Sequence, residues 1–333
     1  MHGALMKRRE FITLLGGAVA CPCAAAAQSV GPMPVVDLVS IGASPADPAN
    51  FRPFLQQMAE LGYADGRNIR FESRFAAGND SLVDGFVADL VRRQVDVIVV
   101  TGTRETIAAK RATSSIPIVT FLHPDVIGAG LAQSLARPGG NLTGLTTLDT
   151  DLYGKRLEIL KQAVPNLTKA GVLVSGRQPT YGRGSPWEQA FRAAARSLTI
   201  ELEIVEADES NLESVLDSLA ARGQQGLVVT SDGIYVAQAK VLAERAVKDR
   251  LPAMFVYRQQ VEDGGLMAYA ARTPDLSRRA AFFVDRIIKG AKPADLPIEQ
   301  PIHFELIINL KSARVLGLDL PATLLAQADE VIE

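Results

Sequence analysis

After Pro34 the run VVDLVSI, over 35–41, is short, β-branched and bounded by Gly42 and Pro45, the pattern of a strand buried on both faces. Apolar positions at helical spacing follow over 51–61. The alternation continues with a strand over 68–75, a helix over 81–93, a strand over 95–100, a helix over 104–113 and a strand over 116–121. Strands and helices alternating in this way predict a parallel, doubly wound sheet.

A second series replays the first, with a helix over 152–164, a strand over 170–174, a helix over 187–197, a strand over 200–205, a helix over 212–222 and a strand over 226–230. A further helix and a short run over 252–255 follow. DVIVVTGT, ending at Thr103, lies over QGLVVTSDG, ending at Gly233; IPIVTF from Ile116 lies over LPAMFV from Leu251; Asn68-Ile69 lies over Thr199-Ile200. This weak internal repeat fits a duplicated unit. The expected fold is α/β with two Rossmann-like doubly wound lobes, one over 34–147 with part of 272–333 and the other over 148–271. In the tail, GGLMAYAA from Gly264 reads as a strand, 274–289 as an amphipathic helix, GAKPADLP from Gly290 as a linker, 304–310 as a strand and 324–332 as a helix.

Composition agrees with two ordinary domains, since 333 residues with 47% hydrophobic and 22% charged side chains are enough for two cores. A net charge of −2, with both signs interspersed, speaks against nucleic acid as a partner. The first stretch of chain is different in kind. Lys7, Arg8 and Arg9 precede Phe11 and Ile12, an uncharged run continues through Leu14 to Ala27, and Ala25-Ala26-Ala27 offers small residues for cleavage before Gln28. KRREFI reads as a twin-arginine export signal, residues 1–27 as a signal peptide and the destination as the periplasm. Gly16, Gly17 and Pro22 leave the run short of the about 20 strongly apolar residues that a spanning anchor needs. Met6 stands directly before the basic residues and is an alternative start to Met1. Both cysteines, Cys21 and Cys23, fall in this leader, so a chain starting at Gln28 has no thiol or disulfide. Lipid attachment at Cys21 is the minority alternative.

Enzyme signatures are sparse. Walker A, H-E-x-x-H and G-x-S-x-G are absent, and only His123 and His303 lie beyond the leader. Gly128-Ala129-Gly130 lacks the third glycine of a dinucleotide fingerprint, and neither cofactor nor metal is called for. In open parallel sheets ligands sit outside the carboxyl ends of the strands, which directs attention to Ser40, to Thr101, Gly102 and Thr103, and to His123 and Asp125 in the first half. The second half supplies Ser175, then Thr230, Ser231 and Asp232, then Tyr257 and Tyr269. Hydroxyls and free N–H groups at helix starts favour an anionic or zwitterionic solute. Ser40, Thr101, Thr103 and Asp232 serve equally as helix caps. Asp125 either receives an amine or caps a helix beginning near Ile127, and the tyrosines either stack on a flat ligand or belong to the core. Arg258 pairs with a carboxylate or with Glu262.

Several stretches, in order, resemble one family: KRREFITLLGG, LGYADGRNI, ADLVRRQVDVIVVTGT, IPIV, DVIGAGL with SLARPGGNLTG, KRLEILKQAVP, GGLMAYA, VDRIIKGAKPADLPIEQP, and FELIINLKSARVLGL with Pro321. The chain resembles the ABC transporter substrate-binding proteins of the tryptophan/tyrosine-uptake type. The resemblance implies a type I periplasmic-binding-protein fold, two lobes hinged by crossing segments, a small organic ligand held between them, delivery to an inner-membrane ABC permease, action as a monomer and no catalytic residue. Asp125-Val126-Ile127 departs from the family's usual Asp-Pro-Val. An enzyme of the same architecture, a racemase or hydrolase pairing His123 with Asp125, is the rival reading. A periplasmic sensory module is another.

Overall fold

The computed structural model describes residues 33–41, 50–176 and 179–333; the leader, its cleavage site, Cys21, Cys23 and the loop over 42–49 lie outside them. The first half forms β1 (Val35–Ser40), α1 (Arg52–Glu60), β2 (Arg70–Phe75), α2 (Ser81–Arg93), β3 (Val97–Val100), α3 (Thr103–Ala112), β4 (Ile118–His123) and β5 (Leu142–Thr146). Among the described residues these strands make one parallel sheet in the order β2-β1-β3-β4-β5. Central strands are the apolar ones: β3 (VIVV) is buried throughout, whereas β2 (RFESRF) lies at the sheet edge and is only partly buried, as expected where one flank meets water.

The second half contributes α4 (Asp149–Ala163), β6 (Lys169–Val174), α5 (Pro186–Ser197), β7 (Glu201–Glu206), α6 (Leu212–Ala221), β8 (Leu227–Val229), α7 (Gly233–Ala237), α8 (Ala239–Lys248), β9 (Ala253–Phe255), α9 (Arg258–Glu262) and β10 (Met267–Ala271). Its strands run β7-β6-β8-β9-β10, the same order as the first sheet. The order reverses between β1 and β3 in one sheet and between β6 and β8 in the other, and a crevice opens at such a switch point.

After β10 the chain returns to the first sheet as α10 (Thr273–Ile288), whose Leu276, Ala280, Phe283 and Val284 pack with Phe54, Val97 and Phe121. Glu299 then bridges β5: the Thr146 N–H donates to its carbonyl at 3.0 Å and its own N–H donates to Gly144 O at 2.9 Å. The chain crosses back to the second sheet as β11 (Phe304–Asn309), antiparallel to β10, followed by α11 (Leu310–Leu316), α12 (Ala322–Leu325) and β12 (Glu330–Ile332). Three segments therefore join the lobes, at 147–148, near 272 and over 300–303. Two α/β sheets with helices on both faces make a two-lobed, periplasmic-binding-protein-like fold.

Two expectations need correction. The helix expected over 324–332 ends at Leu325, and Glu330–Ile332 is a strand parallel to β11. Asp329 anchors the change, its carboxylate accepting from Leu306 N–H at 2.8 Å while its own N–H donates to Leu306 O at 2.9 Å. The three residues satisfy an edge that helical packing would leave open. No helix starts near Ile127; Asp125 heads a turn over Val126 to Gly130. β5 (LTGLT) carried no expectation because glycine sits at its middle. Gly144 has φ +122°, and a Cβ there would stand 2.0 Å from Thr120 O, so the strand requires glycine for close backbone approach.

Candidate functional site

The strand ends at the first switch point place Ser40, the last residue of β1, and Ile41 beside Thr101 and Gly102 after β3, with Leu122 from β4. These residues line one wall of a cleft of about 200 Å³. The facing wall comes from the second sheet: Gly233 and Val236 of α7, Tyr257 after β9, Arg258, Gln259 and Glu262 of α9, and Glu305 of β11, while Thr273 and Pro274 close it at a crossing segment. Both lobes thus enclose one space. Ile41, Leu122, Val236, Pro274 and Tyr257 make it largely apolar, with a few polar groups convergent on it.

Its polar centre is a side chain that strand-end reasoning overlooked. Glu105 is the third residue of α3, fully buried, and lines the cleft. Its Oε1 accepts from the Ile41 N–H at 2.6 Å and lies 3.2 Å from Thr101 Oγ1, which is 2.9 Å from Ser40 Oγ. Its Oε2 has no hydrogen-bond partner. Burial raises its pKa above the ordinary glutamate value, against the lowering effect of the Ile41 N–H. The available signal was the third helical position after Gly102, from which a glutamate commonly reaches back over the helix start. Gly102 gives α3 no side-chain cap, and a Cβ on it would sit 2.8 Å from Glu105 Oε2.

The other expected site residues divide clearly. Ser40, Thr101, Gly102 and Tyr257 line the cleft. Thr103 and Asp232 adjoin it, lining with Asp80, Arg104 and Glu105 a space of about 20 Å³ between the lobes. Thr103 Oγ1 has no hydrogen-bond partner, and Asp232 caps α7 through the Ile234 N–H at 2.9 Å. Ser231 stands behind the wall, its Oγ 2.5 Å from the Tyr257 hydroxyl and its N–H donating to the Tyr153 hydroxyl at 2.9 Å. Thr230 donates to Leu173 O at 2.8 Å, and Ser175 is buried at the end of β6. Tyr269 stacks on Phe304 with centroids 6.0 Å apart, away from the cleft lining. Arg258, the cation among the described lining residues, is engaged by Glu305 at 2.7 Å and Glu330 at 2.7 Å, with Glu262 at 3.7 Å. Those carboxylates hold its pKa above the ordinary arginine value.

His123 and Asp125 are not assembled as an acid–base pair. Asp125 turns its carboxylate onto the N–H groups of Ile127 at 3.1 Å and Gly128 at 2.7 Å, while its own N–H donates to His123 Nδ1 at 3.1 Å. His123 is fully buried, and that burial lowers its pKa to about 3. Neither is among the residues lining the cleft. Among the described residues no group of three or more His, Cys, Asp or Glu could hold a metal ion. No helix among them is long and apolar enough to cross a membrane.

Two lobes of like topology, with a cleft that meets the first sheet at its switch point and takes polar groups from each side, define the class of two-domain ligand-binding proteins. Residues 37–332 match the family of ABC transporter substrate binding proteins, and the chain belongs to that family. A curated relative, the tyrosine-binding protein of Clostridioides difficile, is 24% identical over 80% of this chain and 75% of its own length. Among solved structures, the ABC domain in complex with L-Trp from Streptococcus pneumoniae superposes with a TM-score of 0.82 at 23% identity, covering 90% of this chain and 99% of that one. A conserved domain protein from Vibrio cholerae gives a TM-score of 0.82 at 24% identity over the same shares.

Proposed function

We propose that the protein captures an aromatic amino acid, or a closely related aromatic carboxylate, in the interlobe cleft and presents the closed form to an ABC permease without catalysing a reaction. The observation that carries this reading is the cleft itself, apolar over most of its lining, built from both lobes at once and set at the start of an uncapped helix. A ligand touching both walls favours the closed state over the open one because only the closed state makes both sets of contacts. The ligand carboxylate belongs at the α3 start, where the helix dipole favours negative charge, since Arg258 is already held by three carboxylates. The closing bodies in this reading are 34–147 with 273–299, and 148–271 with 304–333. The basic and apolar leader supports export to the periplasm, and the family resemblance supports action as a monomer.

Thermal unfolding in the presence of solutes tests this. A ligand that binds only the folded protein, at one hundred times its Kd, stabilises it by about 2.7 kcal/mol, a rise of roughly 5–10 °C in midpoint for a chain of this size. L-tyrosine or L-tryptophan at millimolar concentration is expected to give such a rise and to be recovered unchanged. Absence of any rise with aromatic amino acids and their carboxylate analogues sinks the substrate class; turnover of a bound compound sinks the non-catalytic reading.

A further inference from the structure

The cleft contains a carboxyl group that the fold does not fully use. Glu105 Oε1 is occupied by the Ile41 N–H and the Thr101 hydroxyl, whereas Oε2 is buried without a hydrogen-bond partner. Among the described residues no lysine, arginine or histidine forms an ion pair with it. Holding the β1 end needs only one acceptor, so a purely structural role leaves the second oxygen unexplained, and a buried polar atom without a partner costs free energy. Gly102 permits this placement, since any side chain there would press on Oε2. From the opposite lobe, Asp232 faces the same gap.

We infer that Glu105 is the specificity-determining residue for a cationic amine on the ligand, seating that amine on Oε2 between the two lobes. This rests on the reading of the cleft as a binding site and narrows its substrate class to amine-bearing solutes. An ammonium supplies the missing donors and the compensating charge together, and a charge-assisted hydrogen bond of this kind is the strongest polar contact the cleft offers. The charges around it agree. Glu105 meets Asp232 and Asp80 across the small gap, with Arg104 beside them taken up by Asp80 at 2.7 Å and Asp84 at 2.7 Å. On the far wall Glu262 and Glu305 surround Arg258. With the carboxylate end at the α3 start and the amine on Glu105, an α-amino acid is held by adjacent groups of one helix turn while its side chain points toward Val236, Tyr257 and Pro274.

The test compares matched solutes on the purified protein and on Glu105→Gln, which keeps the acceptor for Ile41 and places an amide where Oε2 was. The solutes are L-tyrosine, tyramine, 3-(4-hydroxyphenyl)propionate, L-leucine and 4-methylpentanoate, with affinities from calorimetry. The substitution is expected to weaken the amine-bearing compounds about 10- to 100-fold and to leave the deaminated acids unchanged, with the ligand-free midpoint reporting that the variant folds. Equal weakening of every compound overturns the inference, because a merely structural role acts on all alike. Tight binding of 3-(4-hydroxyphenyl)propionate by the parent protein, equal to that of L-tyrosine, overturns it while the aromatic reading stands. Binding of L-leucine but not L-tyrosine, lost in the variant, sinks the aromatic reading while the amine assignment stands. Binding of none of the five overturns both.

Discussion

Arg156→Met is expected to lower the thermal midpoint by roughly 10 °C, from a loss of about 3–5 kcal/mol. Arg156 is fully buried. Its Nε donates to Tyr269 O at 2.8 Å, its Nη2 pairs with the buried Asp149 carboxylate, and its guanidinium lies 4.8 Å from the centre of the Tyr153 ring. Burial is the largest single effect and works to lower its pKa, but the Asp149 carboxylate, with smaller contributions from Tyr153 and Tyr181, raises it on balance. Methionine fills much of the same volume but leaves Asp149 as an unpaired buried charge, and that residual charge accounts for most of the loss. Asp149 follows the first crossing segment, with Thr147 donating to its Oδ2 at 2.7 Å; Tyr269 lies two residues before the end of β10, where the second crossing begins. The pair therefore ties two of the three connections together. Arg156→Met combined with Asp149→Leu removes both charges and should recover a large part of the stability, because a buried pair is replaceable where a half-pair is not. Circular dichroism melts of the parent and the two variants decide it; a single variant that melts with the parent would refute the account.

Acid is expected to destabilise the protein through His123 well before the bulk of its carboxylates titrate. The folded pKa is depressed, from 6.5 to about 3, so the neutral imidazole's contribution is complete above pH 6.5. It is lost as the pH falls toward 3, at about 1.4 kcal/mol per pH unit. Asp37 works in the opposite sense. Burial raises its pKa to about 6 against the pull of Arg74, so its protonated form is favoured in the fold, and its contribution is present below pH 4 and lost as the pH rises through 6. A pH profile of the parent protein mixes the two. His123→Asn separates them, since asparagine keeps an acceptor for the Asp125 N–H but cannot become a cation. Its midpoint should lie below the parent's at pH 7.5, where the missing ring leaves a void, and the gap should close as the pH falls below 6.5. A gap that stays constant from pH 7.5 to pH 4 would show that His123 does not control acid sensitivity.

Much of this molecule follows from short-range pattern. VIVV over 97–100 and the run over 35–40 read as central strands because every residue but Asp37 is apolar or small, and the fold buries nearly all of them. The likeness of TGT after β3 to TSD after β8 marks corresponding turns of the two sheets, of which Thr101 and Gly102 line the cleft while Thr230 and Ser231 stand behind the opposite wall. Pattern failed where two structures share a composition. The run over 324–332 has apolar spacing that suits a helix, yet Glu330–Ile332 pairs with β11 because that edge is open only after β11 is in place. Glu105 is in sequence an ordinary first-turn acid, and nothing adjacent to it says that Ile41, sixty-four residues earlier, will bring its N–H to one carboxyl oxygen and leave the other unsatisfied. Arg258 read equally as a ligand clamp or a partner of Glu262 until Glu305 and Glu330 closed on it from the last strands.

By itself the order of residues determined the alternation of strand and helix, its duplication, and which side chains end each strand, since periodicity and turn chemistry act over a few residues. Only the tertiary structure decided which of those ends face each other, where the tail rejoins each lobe, and which buried charges find partners. Those depend on distances between residues far apart in the chain, and burial changes the energy of a charge only once the surrounding lobes have closed around it.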